Sequence, residues 1–73
     1  MNVPTIDIQK TGANIKMMRK AAGIKVKDMA DTLGVSPQAV AKWQTGTALP
    51  TIDNLVILAA MLNTKVDDIL VIA

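Results

Sequence analysis

Glycines punctuate this chain at Gly12, Gly23, Gly34 and Gly46, intervals of eleven or twelve residues that suit short helices joined by tight turns. A 73-residue chain so divided makes one domain at most, close to the lower limit at which a single apolar core holds together. Trp43 is its only aromatic residue, so that core must be built from Ile, Leu, Val, Met and Ala, an aliphatic, Ala- and Met-rich set that points to packed helices.

The residue types that are absent narrow the chemistry. Without cysteine there is no disulfide and no thiolate metal site, and without histidine the commonest metal ligand and general base is missing. Asp67 and Asp68 are the only adjacent carboxylates, and neighbours on a helix diverge by about 100° rather than converging on one substrate atom. Neither enzyme activity, a metal nor a cofactor is therefore expected. The longest apolar run, Leu55 to Leu62, falls far short of the roughly 20 residues that span a bilayer. The N-terminus lacks the basic and apolar regions of an export signal, which makes a cytoplasmic location the expectation. Charge is unevenly spread, at +4 through Leu49 and −2 from Pro50 onward, as suits a polyanion-binding face opposite a neutral one.

Local signals mark five short helices. Thr11 is placed to cap the first, running to about Ala22 with Ile15, Met18 and Ala22 on its inner face and Lys16, Arg19 and Lys20 largely turned away. Val26, Met29, Ala30 and Leu33 repeat at i, i+3, i+4, i+7, which predicts a second helix ended by Gly34 in the left-handed conformation. Ser36-Pro37 is the strongest start in the chain, a capping hydroxyl before the one residue whose missing N–H costs nothing at the first helical position. That third helix would reach about Thr45, with Val40 and Trp43 inward. Thr51 caps a fourth with Leu55, Leu58, Ala59 and Leu62 as its buried stripe, and a short fifth begins near Val66. The weakly alternating Val3 to Ile8 and the apolar Ile69 to Ala73 stand outside this scheme. The two segments either pair as a small ribbon, or the tail Ile69, Leu70, Val71 and Ile72 forms an interface between copies.

The second helix, the turn Gly34-Val35-Ser36 and the third helix have the form of a helix-turn-helix, a corner that is common in all-α proteins. More specific is the run from Met29 to Gly46, MADTLGVSPQAVAKWQTG, followed by Leu49-Pro50-Thr51-Ile52-Asp53-Asn54-Leu55. It resembles the phage-repressor and Cro type of helix-turn-helix domain, also called the xenobiotic-response-element type, over about Thr11 to Leu70. Ala30 falls where that family needs a small residue between helices two and three. Gly34 falls at its turn glycine, Val35 and Val40 at core positions, and Trp43 at a large apolar position.

The resemblance implies an all-α, lambda-repressor-like bundle of five short helices, with an N-terminal arm at residues 1–10 and the domain proper at 11–73. It also implies a small transcriptional regulator that binds double-stranded DNA with the third helix in the major groove. Helix geometry agrees about the outward face: if Val40 and Trp43 point inward, Gln38, Ala41, Lys42 and Thr45 share the other side. Base contacts are expected from Gln38, Lys42, Ala41 and Pro37, since glutamine matches adenine and lysine donates to guanine or phosphate. Phosphate contacts are expected from Lys25, Lys27, Ser36, Thr45 and Thr47.

Three departures from the family pattern stand out. Lys25-Val26 replaces a capping hydroxyl and a phosphate-binding glutamine, Thr47-Ala48 replaces basic residues, and Gln44 replaces a glutamate expected to pair with Arg19. Gln44 still offers a carbonyl oxygen to that arginine. One such module reads few base pairs, so a homodimer joined through the C-terminal region is expected. The competing reading is a protein-interaction module, or an antitoxin-like partner, that keeps the fold with weak or no DNA binding.

Overall fold

The computed structural model describes residues 3–73, so the first two residues of the expected arm lie outside it. Among the described residues five helices follow one another: α1 (Ile8–Ala21), α2 (Val26–Leu33), α3 (Pro37–Gln44), α4 (Ile52–Met61) and α5 (Val66–Ile69). Their starts follow the capping logic. Ser36 Oγ accepts the Ala39 N–H at 3.1 Å, Pro37 occupies the first turn of α3, and Thr51 Oγ1 accepts the Asn54 N–H at 3.2 Å. Gly34 ends α2 with φ +67°, and Gly46 follows α3 with φ +75°, both in the left-handed region that a side chain disfavours.

Helix α1 departs from expectation at its start. It begins at Ile8, not after Thr11, because Asp7 caps it by accepting the Lys10 N–H at 2.9 Å. Thr11 lies inside the helix and is fully buried, and its hydroxyl accepts the Val71 N–H at 3.0 Å. Gly12 is likewise not a turn glycine. It sits mid-helix where α1 meets the end of α3, and a Cβ there would collide with the Trp43 carbonyl oxygen.

Around this contact the core gathers Ile15, Met29, Ala30, Leu33, Val40, Trp43, Leu55, Leu58, Ala59 and Ile69. Met18 and Leu62, expected inside, are only half-buried, since they border an open hollow between the C-terminal ends of α1 and α4. Ala22 is exposed, because α1 stops at Ala21 and Ala22 serves as its C-cap.

The chain ends pair with each other. Ile6 and Ile72 form an antiparallel bridge, with the Asp7 N–H on the Val71 carbonyl and the Ala73 N–H on the Thr5 carbonyl, both at 2.7 Å. Asn14 Nδ2 donates to the Ile69 carbonyl at 3.1 Å. Of the tail read as an interface, Ile69 is wholly buried, Leu70 and Val71 are half-buried, and only Ile72 is exposed, at 59%. Of the two expectations for the tail, pairing with the N-terminal segment is the one the structure shows. The Val71 and Ala73 N–H groups and the Ile69 and Val71 carbonyls find partners within the same chain, in residues 55 to 68 positions away, and the Ile69 side chain is buried in its core.

Candidate nucleic-acid interface

Helix α3 turns one face to the core and the other outward because Val40 and Trp43 anchor it. Val40 is fully buried and Trp43 is 5% exposed. Gln38, Ala41, Lys42 and Thr45, at i, i+3, i+4 and i+7, consequently form an outer stripe, and all four are exposed. Ser36 and Pro37 at its N-terminal end are exposed too. Across the turn, Lys25 and Lys27 flank the start of α2 and stand in solvent, whereas Val26 between them is half-buried against the core. Lys25 makes no side-chain cap to α2, as its chemistry requires, since an ammonium has no lone pair to offer an N–H. All nine side chains singled out from sequence are thus exposed, seven on α3 or at its ends, with Thr47 just past the helix, and Lys25 and Lys27 at the start of α2.

Hydrogen bonding within the site decides which donors remain free. The Thr45 hydroxyl donates back to the Ala41 carbonyl at 3.1 Å, with the Lys42 carbonyl at 3.3 Å, and the Thr47 hydroxyl lies 3.1 Å from it. One hydroxyl carries one proton, so when Thr45 donates to α3 it is Thr47 that donates to Thr45. Backbone donors here are committed as well: the N–H groups of Thr47 and Ala48 both point to the Lys42 carbonyl, at 2.9 and 3.3 Å. The turn after α3 is thus closed on itself, which the residue types Thr-Gly-Thr-Ala did not disclose.

Arg19 holds this end of α3 in place. Its Nε donates to Gln44 Oε1 at 2.8 Å and its guanidinium donates to the Ile24 carbonyl, also at 2.8 Å. The amide of Gln44 does what was expected of it, accepting the arginine without an ion pair. Arg19 thereby links α1, the turn before α2 and the last turn of α3. Beside it, Gly46 lets Gln9 approach so closely that a Cβ at Gly46 would lie 2.7 Å from Gln9 Cα. From sequence Thr11 read as a helix cap and Gly12 as a turn, and Asn14 was not singled out, since the residue that each one bonds or packs on lies at least thirty positions away and leaves no local trace.

Residues 15–69 match the helix-turn-helix family. Over 51 residues the chain is 37% identical to the cryptic phage CTXphi transcriptional repressor RstR of Vibrio cholerae, a match that covers 70% of this chain and 46% of that protein. The chain therefore spans about half the length of this curated relative. Among solved structures it is similar to the restriction-modification controller protein C.AhdI from Aeromonas hydrophila, with TM-score 0.77 and 22% identity over 86% of this chain and 96% of that one. It is also similar to the clp gene regulator ClgR from C. glutamicum, with TM-score 0.78 and 19% identity over 94% of this chain and 88% of that one. At these identities the two structures speak for a shared fold. Among the described residues no helix is long and apolar enough to cross a membrane.

Proposed function

This chain belongs to the helix-turn-helix family, and on that premise we propose that it binds double-stranded DNA as a transcriptional regulator in the cytoplasm, with α3 in the major groove. The observation that carries this reading is the outer stripe of α3, where Gln38 and Lys42 stand exposed over a buried Val40 and Trp43. In it, Gln38 reads base edges and Lys42 donates to a base or a phosphate. Ala41 and Pro37 approach the bases, and Lys25, Lys27, Ser36, Thr45 and Thr47 line the backbone. The closed turn around Thr45 and Thr47 makes these two the weaker contacts, because a phosphate must compete for hydroxyls already in use.

Selection of a binding site from random duplex, followed by anisotropy titration, tests the proposal. Gln38→Ala is expected to lower affinity for the selected site by about 1 to 3 kcal/mol and to leave random-sequence binding nearly unchanged. Lys27→Ala is expected to weaken every sequence alike and to lower the salt slope by about one. Equal, salt-insensitive and negligible binding to all duplexes would instead favour a protein-interaction module, a reading to which the apolar Val26 and the closed turn lend weight.

A homodimer joined through the C-terminal region belongs to the same proposal, since two copies about a two-fold axis set their recognition helices about 34 Å apart on one side of the duplex. With most of the tail folded back, the outer side of α4, where Ile52 is 80% and Val56 59% exposed, offers apolar surface for it in addition to Ile72. Sedimentation equilibrium should find a dimer at high micromolar concentration and a monomer for Val56→Asp. A wild-type chain that stays monomeric and occupies only a half-site would end the dimer model.

A further inference from the structure

We propose that Lys16 and Lys20, on α1 outside the helix-turn-helix corner, bind the phosphate backbone of the duplex beside the C-terminal end of α3. The inference rests on the DNA-binding reading above and extends its interface. At about 100° per residue, Gln9 lies about 60° round from Gly12 on α1, Lys16 about 40° and Lys20 about 80°, all on the same side. That side meets the end of α3. Gly12 packs against the carbonyl oxygens of Trp43 and Gln44, and Gln9 lies against Gly46. The other edge of α1, with Thr11 and Asn14, holds the tail. Lys16 and Lys20 are exposed and follow Gly12 along that side of α1, about one and two turns beyond its contact with the end of α3.

Two observations make this edge the better phosphate site. The turn after α3 has spent its own donors, with Thr45, Thr47 and Ala48 all bonded back to the helix. Arg19, the remaining cation on this part of α1, is turned inward and held by Gln44 and Ile24. Backbone binding at this end of α3, beyond Lys42 and the two weaker threonine contacts, therefore falls to the lysines on either side of Arg19. An ammonium suits that role, because a point charge on a flexible stem needs no fixed geometry to neutralise a phosphate and release its counterion.

The test measures the slope of log Kobs against log salt for random-sequence duplex with the full chain. Lys65→Ala serves as the control, removing one exposed charge at the N-cap of α5, an element packed on α1 and α4. Lys16→Ala and Lys20→Ala should each reduce the slope by about 0.9, and the double variant should lose roughly tenfold less affinity than wild type between 50 and 200 mM salt. Lys65→Ala should leave the slope unchanged. Circular dichroism confirms that the variants stay folded, as exposed lysines allow. If wild type binds with a steep slope and the Lys16 and Lys20 variants match Lys65→Ala, this inference is overturned while the DNA-binding reading stands. A wild-type chain that binds no duplex overturns both.

Discussion

Alanine in place of Gly12 is expected to remove most of the domain's stability. The added Cβ would run into the Trp43 carbonyl oxygen and stand 3.1 Å from both the Gln44 carbonyl oxygen and the Gly46 nitrogen. All three are backbone atoms, so no side chain can swing aside, and α1 must move off the end of α3. Alanine in mid-helix recovers about 0.5 to 1 kcal/mol of backbone entropy, but overpacking of this kind costs about 3 kcal/mol or more. A domain of this size holds only about 3 to 5 kcal/mol in all. Gly23→Ala is the matched control. Its Cβ meets nothing within 4 Å, and only its φ of +70° is strained, for a cost of about 1 to 2 kcal/mol. Urea unfolding followed by Trp43 fluorescence compares the two, and a Gly12→Ala midpoint equal to that of Gly23→Ala would refute the tight α1–α3 contact. The same contact bears on the proposed function, since α1 shifted from Gly12 takes Arg19 away from Gln44 and releases the end of α3.

The second large effect lies in the tail. Ile69→Ala should cost about 2 to 5 kcal/mol, the range for removing a fully buried aliphatic side chain that leaves a cavity. Ile72→Ala, three residues on and 59% exposed, should cost no more than about 0.5 kcal/mol. A chain ending at Asp68 loses more than Ile69 itself, because Thr11 loses the Val71 N–H and Asn14 loses the Ile69 carbonyl. It should melt below Ile69→Ala. Thermal melts of the three variants decide the matter: equal melting temperatures for Ile69→Ala and Ile72→Ala would return the tail to the surface.

The helices and the outward face of α3 are written in local signals. Ser36-Pro37, Thr51 and Gly34 act on backbone groups within about four residues, so their effect is readable where they stand. Once Val40 and Trp43 are assigned to the core, the period of 3.6 residues leaves Gln38, Ala41, Lys42 and Thr45 no other side to occupy. Even the Arg19–Gln44 bond was legible, because the family pattern supplies the pairing and glutamine retains the acceptor. Long-range packing settles each choice between two equally good local options. Asp7 and Thr11 are both competent caps, and Asp7 takes the role because the Val71 N–H draws the Thr11 hydroxyl inward. Gly12 reads as punctuation until the Trp43 carbonyl, thirty-one residues on, is found against it. The apolar tail has no local signal to choose between a partner and its own chain. It closes on Ile6, Thr11 and Asn14 because the five helices bring residues 5–14 and 69–73 together, so that their backbone groups and Ile69 are satisfied without a second molecule.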